Sequence, residues 1–327
     1  MRKLPLAFAI AMAMALPWMR GAMAQAWPAQ PVTMVVPFAA GGPVDMIGRI
    51  LAARLGELLG QQVIIENVGG AGGMIGAARV AKAAPDGYQV VLASSATHAQ
   101  NQTLYRNPLY DAATAFAPVA LLADAPRVLI TRKDLPASTF AEFMAHAKIN
   151  QAAMQYGTAG AGSGTHICAL LLDQAMGTRV THIPYRGAGP AMQDLIAGRL
   201  DYMCEQISTA APQIRAGTVK AIVVLGPDRV PMLPGLAAAR EWGLGDFDCG
   251  AWTALAFPKG TSDAIVRRLA RAASEAMDTP SVRERPETIG VTAVAPERRS
   301  PEYLAKFIVS EIARWAVPIR ASGFQAE

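Results

Sequence analysis

One pattern constrains this chain more than any other: a β-branched run, a glycine turn and an amphipathic segment, met near residue 36 and again near residue 157. The first copy is VTMVV (32–36) followed by PFAAGGPVD (37–45). Apolar residues then fall at Ile47, Ile50, Leu51, Leu55, Leu58 and Leu59, a helical stripe ended by Gly60. The second is a short strand at Met154-Gln155-Tyr156, the turn GTAGAGSGTH (157–166) and a helix from about His166 to Met176. A strand that turns through glycine into a helix sets the helix N-terminus at the carboxyl edge of its sheet, where open α/β sheets bind ligands. Unsatisfied N–H groups and a partial positive charge there attract anions, and glycine lets a ligand approach the backbone. The dipole supplies only ~0.3–2 kcal/mol per terminus, so affinity needs charge-assisted hydrogen bonds in a closed, dry site.

The rest of the chain repeats the alternation. Strands are expected at 63–66, 89–93, 118–123, 127–131, 181–185, 201–205, 219–225 and 252–258. Helices are expected near 74–83, 139–149, 191–198, 212–217, 262–277 and 301–321. Short connections between them indicate an α/β protein with largely parallel sheets and two similar lobes. At 327 residues, 52% hydrophobic and 17% charged, the chain is globular and long enough for two domains.

Residues 1–24 read as an export signal: Arg2-Lys3, an apolar run from Leu4 to Met19, and Ala22-Met23-Ala24 as the cleavage pattern. The run is shorter than the ~20 residues a membrane span needs. Removing Arg2, Lys3 and Arg20 from the 30 basic residues leaves 27 against 25 acids, a nearly neutral mature chain. With no basic run or basic-aromatic stripe, nucleic acid is not an expected partner.

Other owners of a glycine loop fit poorly. No G-x-x-x-x-G-K-[ST] occurs, and Thr165 stands where G-x-G-x-x-G needs its third glycine. Ser163 lies between glycines, but Ala161 breaks G-x-S-x-G. His98, His146, His166 and His182 match no metal spacing, so no metal and no cofactor are expected. Asp45, at the start of a helix, is assigned to the helix N-terminus rather than to a ligand, because a carboxylate there would repel an anion.

The segment PFAAGGPVD resembles the opening of the exported binding proteins of tripartite tricarboxylate transporters, the Bug or TctC family. The likeness continues through GQQVIIENVGGAGGMIGAARVAKAAPDGY (60–88), THAQNQTLY (97–105), FAPVALLA (116–123), IPYRGAGPAMQDLIAGRLD (183–201), PQIRAG (212–217) and FPKGT (257–261). It spans residues 27 to 327 and implies a periplasmic, two-lobed Venus-flytrap protein of type II, each lobe a mostly parallel sheet flanked by helices. Residues 25–125 with 250–327 would form one lobe and 126–249 the other, joined near 124–127 and 225–250, with the cleft between them. Such a receptor closes on a small organic carboxylate and hands it to membrane permease subunits. It performs no catalysis and is expected to act as a monomer.

Carried over by resemblance, the first ligand loop is Phe38, Ala39, Ala40, Gly41, Gly42 and Pro43. The second runs from Ala159 to His166, with Ala161, Gly162 and the hydroxyls of Ser163 and Thr165. Thr97 and His98 follow the third strand, and Tyr185 is a further pocket candidate. Glu205, within MCEQ (203–206), stands at the position that varies with ligand. The combination of GTH, His166-x-Cys168 and MCEQ is most similar to the aspartate-binding branch, which tends to carry Asp in place of Glu205. A dicarboxylate or acidic amino acid is therefore the expected ligand. Cys168 and Cys204, both near the carboxyl edge of one sheet in an oxidising compartment, are expected to bridge, leaving Cys249 single. Two rival readings are an exported enzyme using Ser163 or His166 on a carboxylate, and an orphan receptor feeding a signalling sensor.

Overall fold

The computed structural model describes residues 27–245, 247–280, 282 and 291–326. The expected signal peptide and its cleavage point lie outside them.

Two sheets organise the chain. The larger has the order β11-β4-β10-β3-β1-β2, with β1 Val32–Val36, β2 Val63–Asn67, β3 Gln89–Ser94, β4 Phe116–Ala125, β10 Ala251–Pro258 and β11 Thr292–Ala293. The smaller has the order β7-β6-β8-β5-β9, with β5 Arg127–Arg132, β6 Gln155–Thr158, β7 Thr181–Pro184, β8 Tyr202–Gln206 and β9 Val219–Val224. Nine helices appear among the described residues: α1 Pro43–Leu59, α2 Met74–Ala81, α3 Asn101–Leu104, α4 Phe140–Asn150, α5 Gly164–Met176, α6 Ala188–Ile196, α7 Ile207–Arg215, α8 Asp263–Asp278 and α9 Pro301–Ala321.

Both sheets are mixed rather than mostly parallel. β1 runs parallel to β2 and β3, and β6 runs parallel to β7 and β8, as strand–helix–strand crossovers require. Apart from β11, which pairs antiparallel with β4, the antiparallel members are strands at the crossovers between the sheets. β10 pairs antiparallel with β3 and β4, and β5 pairs antiparallel with β8 and β9. The chain leaves the six-stranded sheet at Pro126, between β4 and β5, and returns between β9 and β10. Departure and return lie side by side, since Ala125 is paired with Ala251 and Val128 with Val224.

Alternation along β5 shows how the smaller sheet is buried on both faces. Val128 and Ile130 join one apolar cluster with Met203 and Leu195, while Leu129 joins another with Cys204, Cys168 and Phe143. A strand buried on both faces reads as a continuous apolar run, which is why RVLIT is legible in sequence. Boundaries moved most at α7, which begins at Ile207 rather than 212. Pro212, the first residue of the expected range, sits inside the helix instead.

The cysteines pair differently from the expectation. Cys168 is bonded to Cys249, with 5.4 Å between their Cα atoms, and Cys204 is a free, buried thiol. Cys204 lies within β8, opposite Leu129, whereas the returning segment before β10 lays Cys249 against the beginning of α5. Proximity to the sheet edge was the wrong criterion, because the bridge partner comes from the crossover and not from the sheet.

Candidate functional site

The first glycine turn is held by a carboxylate behind it. Gly41 takes φ +81°, a left-handed conformation suited to glycine. Its N–H donates to Asp45 Oδ2 (2.9 Å), in the first turn of α1. Asn67 Nδ2 donates to both Phe38 O and Asp45 Oδ1, and Arg49 donates to Asp45 Oδ2, so β2 and α1 together lock the loop. Burial pushes the Asp45 carboxyl up, but the hydrogen bonds from Arg49, Gly41 and Asn67 outweigh it and hold the group below the usual carboxylate range. The helix N-cap is Gly42, with no side-chain cap and proline next in line. The N–H groups of the first turn are left to whatever enters the space before them.

The second turn is built from hydroxyls. Gly160 and Gly162 take φ +121° and +79°. Ser163 caps α5, its Oγ accepting from His166 N–H (3.3 Å) and lying 2.9 Å from Thr165 Oγ1, which accepts from Ala159 N–H. The His166 ring stacks on His182 at 4.0 Å and meets Phe324 edge-on at 4.7 Å. Burial lowers both imidazoles, to about 3 and about 4, so they support the loop as neutral rings.

These two termini face a common cavity of about 30 Å³. Phe38, Gly42, Pro43, Ala159, Ser163 and Thr165 line it, together with several residues outside the sequence-based set. Ser94, Ser95 and Ala96 contribute from the end of β3, and Ala188 from the N-terminus of α6. Gly164, Arg127 and Gln206 complete the second lobe's wall. No acidic residue among the described residues lines the cavity. Arg127 and Gln206 are directly opposed in the β5–β8 register, so they share a sheet face. The sequence signal for Arg127 was slight: a charged residue beginning an apolar strand reads as a surface position, yet this one is 2% exposed.

The remaining expected residues stand around the cavity, not in its wall. Ala40 and Gly41 are exposed at the rim. Thr97 Oγ1 lies 2.9 Å from His98 Nδ1, and His98 packs against Phe116 at 4.4 Å, its pKa lowered to about 3 by burial. Tyr185 donates to Asp194 Oδ2 (2.6 Å). Glu205 faces the other side of the sheet, where Oε1 accepts from Gln206 N–H and Thr209 Oγ1 at the start of α7. Burial raises its carboxyl.

Ala39, Ala161 and Gly162 belong to a seam where the two halves touch. A Cβ on Gly187 would lie 2.7 Å from Ala39 Cβ, and one on Gly72 would lie 2.6 Å from Gly162 C. Tyr105 Oη donates to Ala161 O across the same seam (3.0 Å). By volume the cavity holds about one or two waters.

Two α/β lobes joined by paired crossovers, with opposed helix N-termini at the interface, define the bilobal binding-protein class. Residues 47–324 match the tripartite tricarboxylate transporter family receptor, and the chain belongs to that family. An Agrobacterium vitis protein, known by its place in the TAR-I ttuE–ttuC' intergenic region, is 42% identical over 310 residues, covering 94% of this chain and 88% of its own. The solved periplasmic binding protein BugD superposes with a TM-score of 0.90 at 36% identity, over 92% of this chain and 100% of that one. MatC from Rhodopseudomonas palustris, solved with malate bound, superposes with a TM-score of 0.87 at 40% identity, over 90% and 100%. The resemblance read from the glycine loops is thus the family itself. No helix among the described residues is long and apolar enough to cross a membrane.

Proposed function

We propose that this protein is an exported solute-binding receptor, periplasmic once the segment 1–24 is cleaved. It captures a small organic carboxylate, a dicarboxylate or acidic amino acid, and delivers it as a monomer to the membrane permease of a tripartite tricarboxylate-type transporter. One observation carries the reading: the N-termini of α1 and α5 meet at a single cavity with no acidic side chain among the described residues of its wall. Two positive helix poles against one small space suit an anion held by backbone N–H groups and hydroxyls. The malate complex of MatC supports a carboxylate as the ligand class.

The lobes correspond to the two sheets, 25–125 with 250–327 and 126–249, and the hinge to the paired crossovers at Pro126 and before β10. Ligand shifts an open–closed equilibrium because only the closed form brings both loops to it. No residue carries a catalytic step; the chemistry is recognition. A thermal-shift screen of dicarboxylates, acidic amino acids, tricarboxylates and aromatic acids, followed by calorimetry, tests this. Saturable binding of a carboxylate recovered unchanged is expected. Hits confined to ligands without a carboxylate would refute the proposal, and turnover of the ligand would replace the receptor with an enzyme.

A further inference from the structure

The wall of the cavity contains a buried cation that the helix-terminus picture does not account for. Arg127 is 2% exposed and lines the cavity at the start of β5. Of its five donor hydrogens, the bond from Nη1 goes to the Cys249 carbonyl, and Nε has no partner. No carboxylate lies within salt-bridge distance of it among the described residues. The closest acid in electrostatic effect, Glu205, opens onto the opposite face of the sheet, where Oε1 accepts from Gln206 N–H and Thr209 Oγ1 at the start of α7 and Oε2 has no partner. Burial lowers the guanidinium only to about 10, so it is charged at neutral pH.

Its position makes the charge more costly still. A Cβ on Gly164 would collide with Arg127 Nη2, so the guanidinium occupies the side-chain space at the first residue of α5. Cations belong at helix C-termini; here one is placed against the positive end. A buried, unpaired charge is among the least tolerable features a fold can carry unless an anion neutralises it. Gln206, opposite Arg127 in register, adds a buried amide whose Oε1 also lacks a partner.

Building on the carboxylate-receptor reading, we infer that Arg127 is the specificity-determining residue of the site, forming a salt bridge with one carboxylate of a dianionic ligand. That carboxylate sits between the guanidinium, the N-terminus of α5 and the hydroxyls of Ser163 and Thr165. The second carboxylate is taken across the cavity by the first turn of α1. Two separate positive poles select a short dicarboxylate over a monoanion of the same shape. The Cys168–Cys249 bridge serves this arrangement, since it ties α5 to the residue whose carbonyl holds the guanidinium.

Calorimetry with succinate, glutarate and adipate, each compared with its own monoamide, tests the inference on wild type, Arg127→Gln and Arg127→Lys. Wild type is expected to prefer a diacid over its monoamide by at least ~30-fold, as for a buried charge pair. Arg127→Gln should shrink that ratio to a few-fold by weakening the diacid, and Arg127→Lys, which keeps charge but not the fork, should fall between. A wild-type ratio near unity, or binding of monocarboxylates alone, overturns the role of Arg127 and leaves the receptor standing. Ratios unchanged in both variants do the same. Absence of binding by any carboxylate to wild type would instead sink the receptor reading. Should Arg127→Gln fail to fold by circular dichroism, the wild-type and Arg127→Lys ratios decide alone.

Discussion

Gly72→Ala is expected to abolish tight ligand binding without unfolding the protein. Gly72 has φ +61°, and a Cβ there would stand 2.6 Å from Gly162 C, with the Ala161 and Gly162 carbonyl oxygens each at 2.8 Å. All three are backbone atoms of the opposite lobe and cannot swing away as a flexible side chain would. Carbon atoms need ~3.5 Å, so the seam must open by about 1 Å. An opening of that size stretches lobe-spanning hydrogen bonds beyond a useful length. Losing one or two charge-assisted bonds costs about 3 kcal/mol, on the order of 100-fold in Kd. The left-handed backbone adds ~1–2 kcal/mol of its own. Gly60 isolates that contribution: φ is +72° and a Cβ would meet nothing within 4 Å. Calorimetry and unliganded thermal melts on both variants provide the assay. Both should lose a few degrees of melting temperature, and only Gly72→Ala should lose affinity. Equal affinity in the two would refute the reasoning that the closed seam is the binding-competent state.

Two further outcomes are expected. The Cys168–Cys249 bridge closes a separation of 81 residues, which by chain entropy stabilises the fold by about 4.5 kcal/mol. Reduction, or replacement of both cysteines by alanine, should lower the urea midpoint accordingly, and thiol titration of the unreduced, denatured chain should find one free thiol. Matching midpoints with and without reductant would contradict this. The pKa of Asp45 is lower in the fold than its ordinary value of 3.8. Its stabilisation is therefore full above about pH 4 and is lost as pH falls through the depressed value. Asp45→Asn should cost stability at neutral pH, by a margin that narrows in acid. Urea midpoints at pH 7 and near pH 3 check this, and a margin that did not change between them would remove Asp45 from the linkage.

Much of the fold was legible because its units are local. VTMVV, QVVLA and WTALAFP announce strands through β-branched and apolar runs, and α1 announces itself through apolar spacing ended by Gly60. The glycine turns were legible for the same reason, since left-handed residues and a helix start are properties of a few consecutive residues. Sheet direction was not, because β5 and β10 show their antiparallel pairing only through distant partners. Glu205 was a cavity candidate by resemblance alone, and the pleat turns it to the other face, onto α7. Arg127 was overlooked since nothing beside it in the chain says that it ends up buried.

The amino-acid sequence by itself therefore determined the two anion-attracting turns, the α/β alternation and the family. Each depends on backbone preferences and side-chain spacing within a dozen or so residues. Tertiary structure alone decided what the turns face. It brought Arg127 against Gly164, Cys249 onto Cys168 and Gly72 onto Gly162, contacts between segments far apart in the chain. Local rules specify which conformation a segment adopts. Which segment it meets is set by how two sheets bury their faces and where the paired crossovers return.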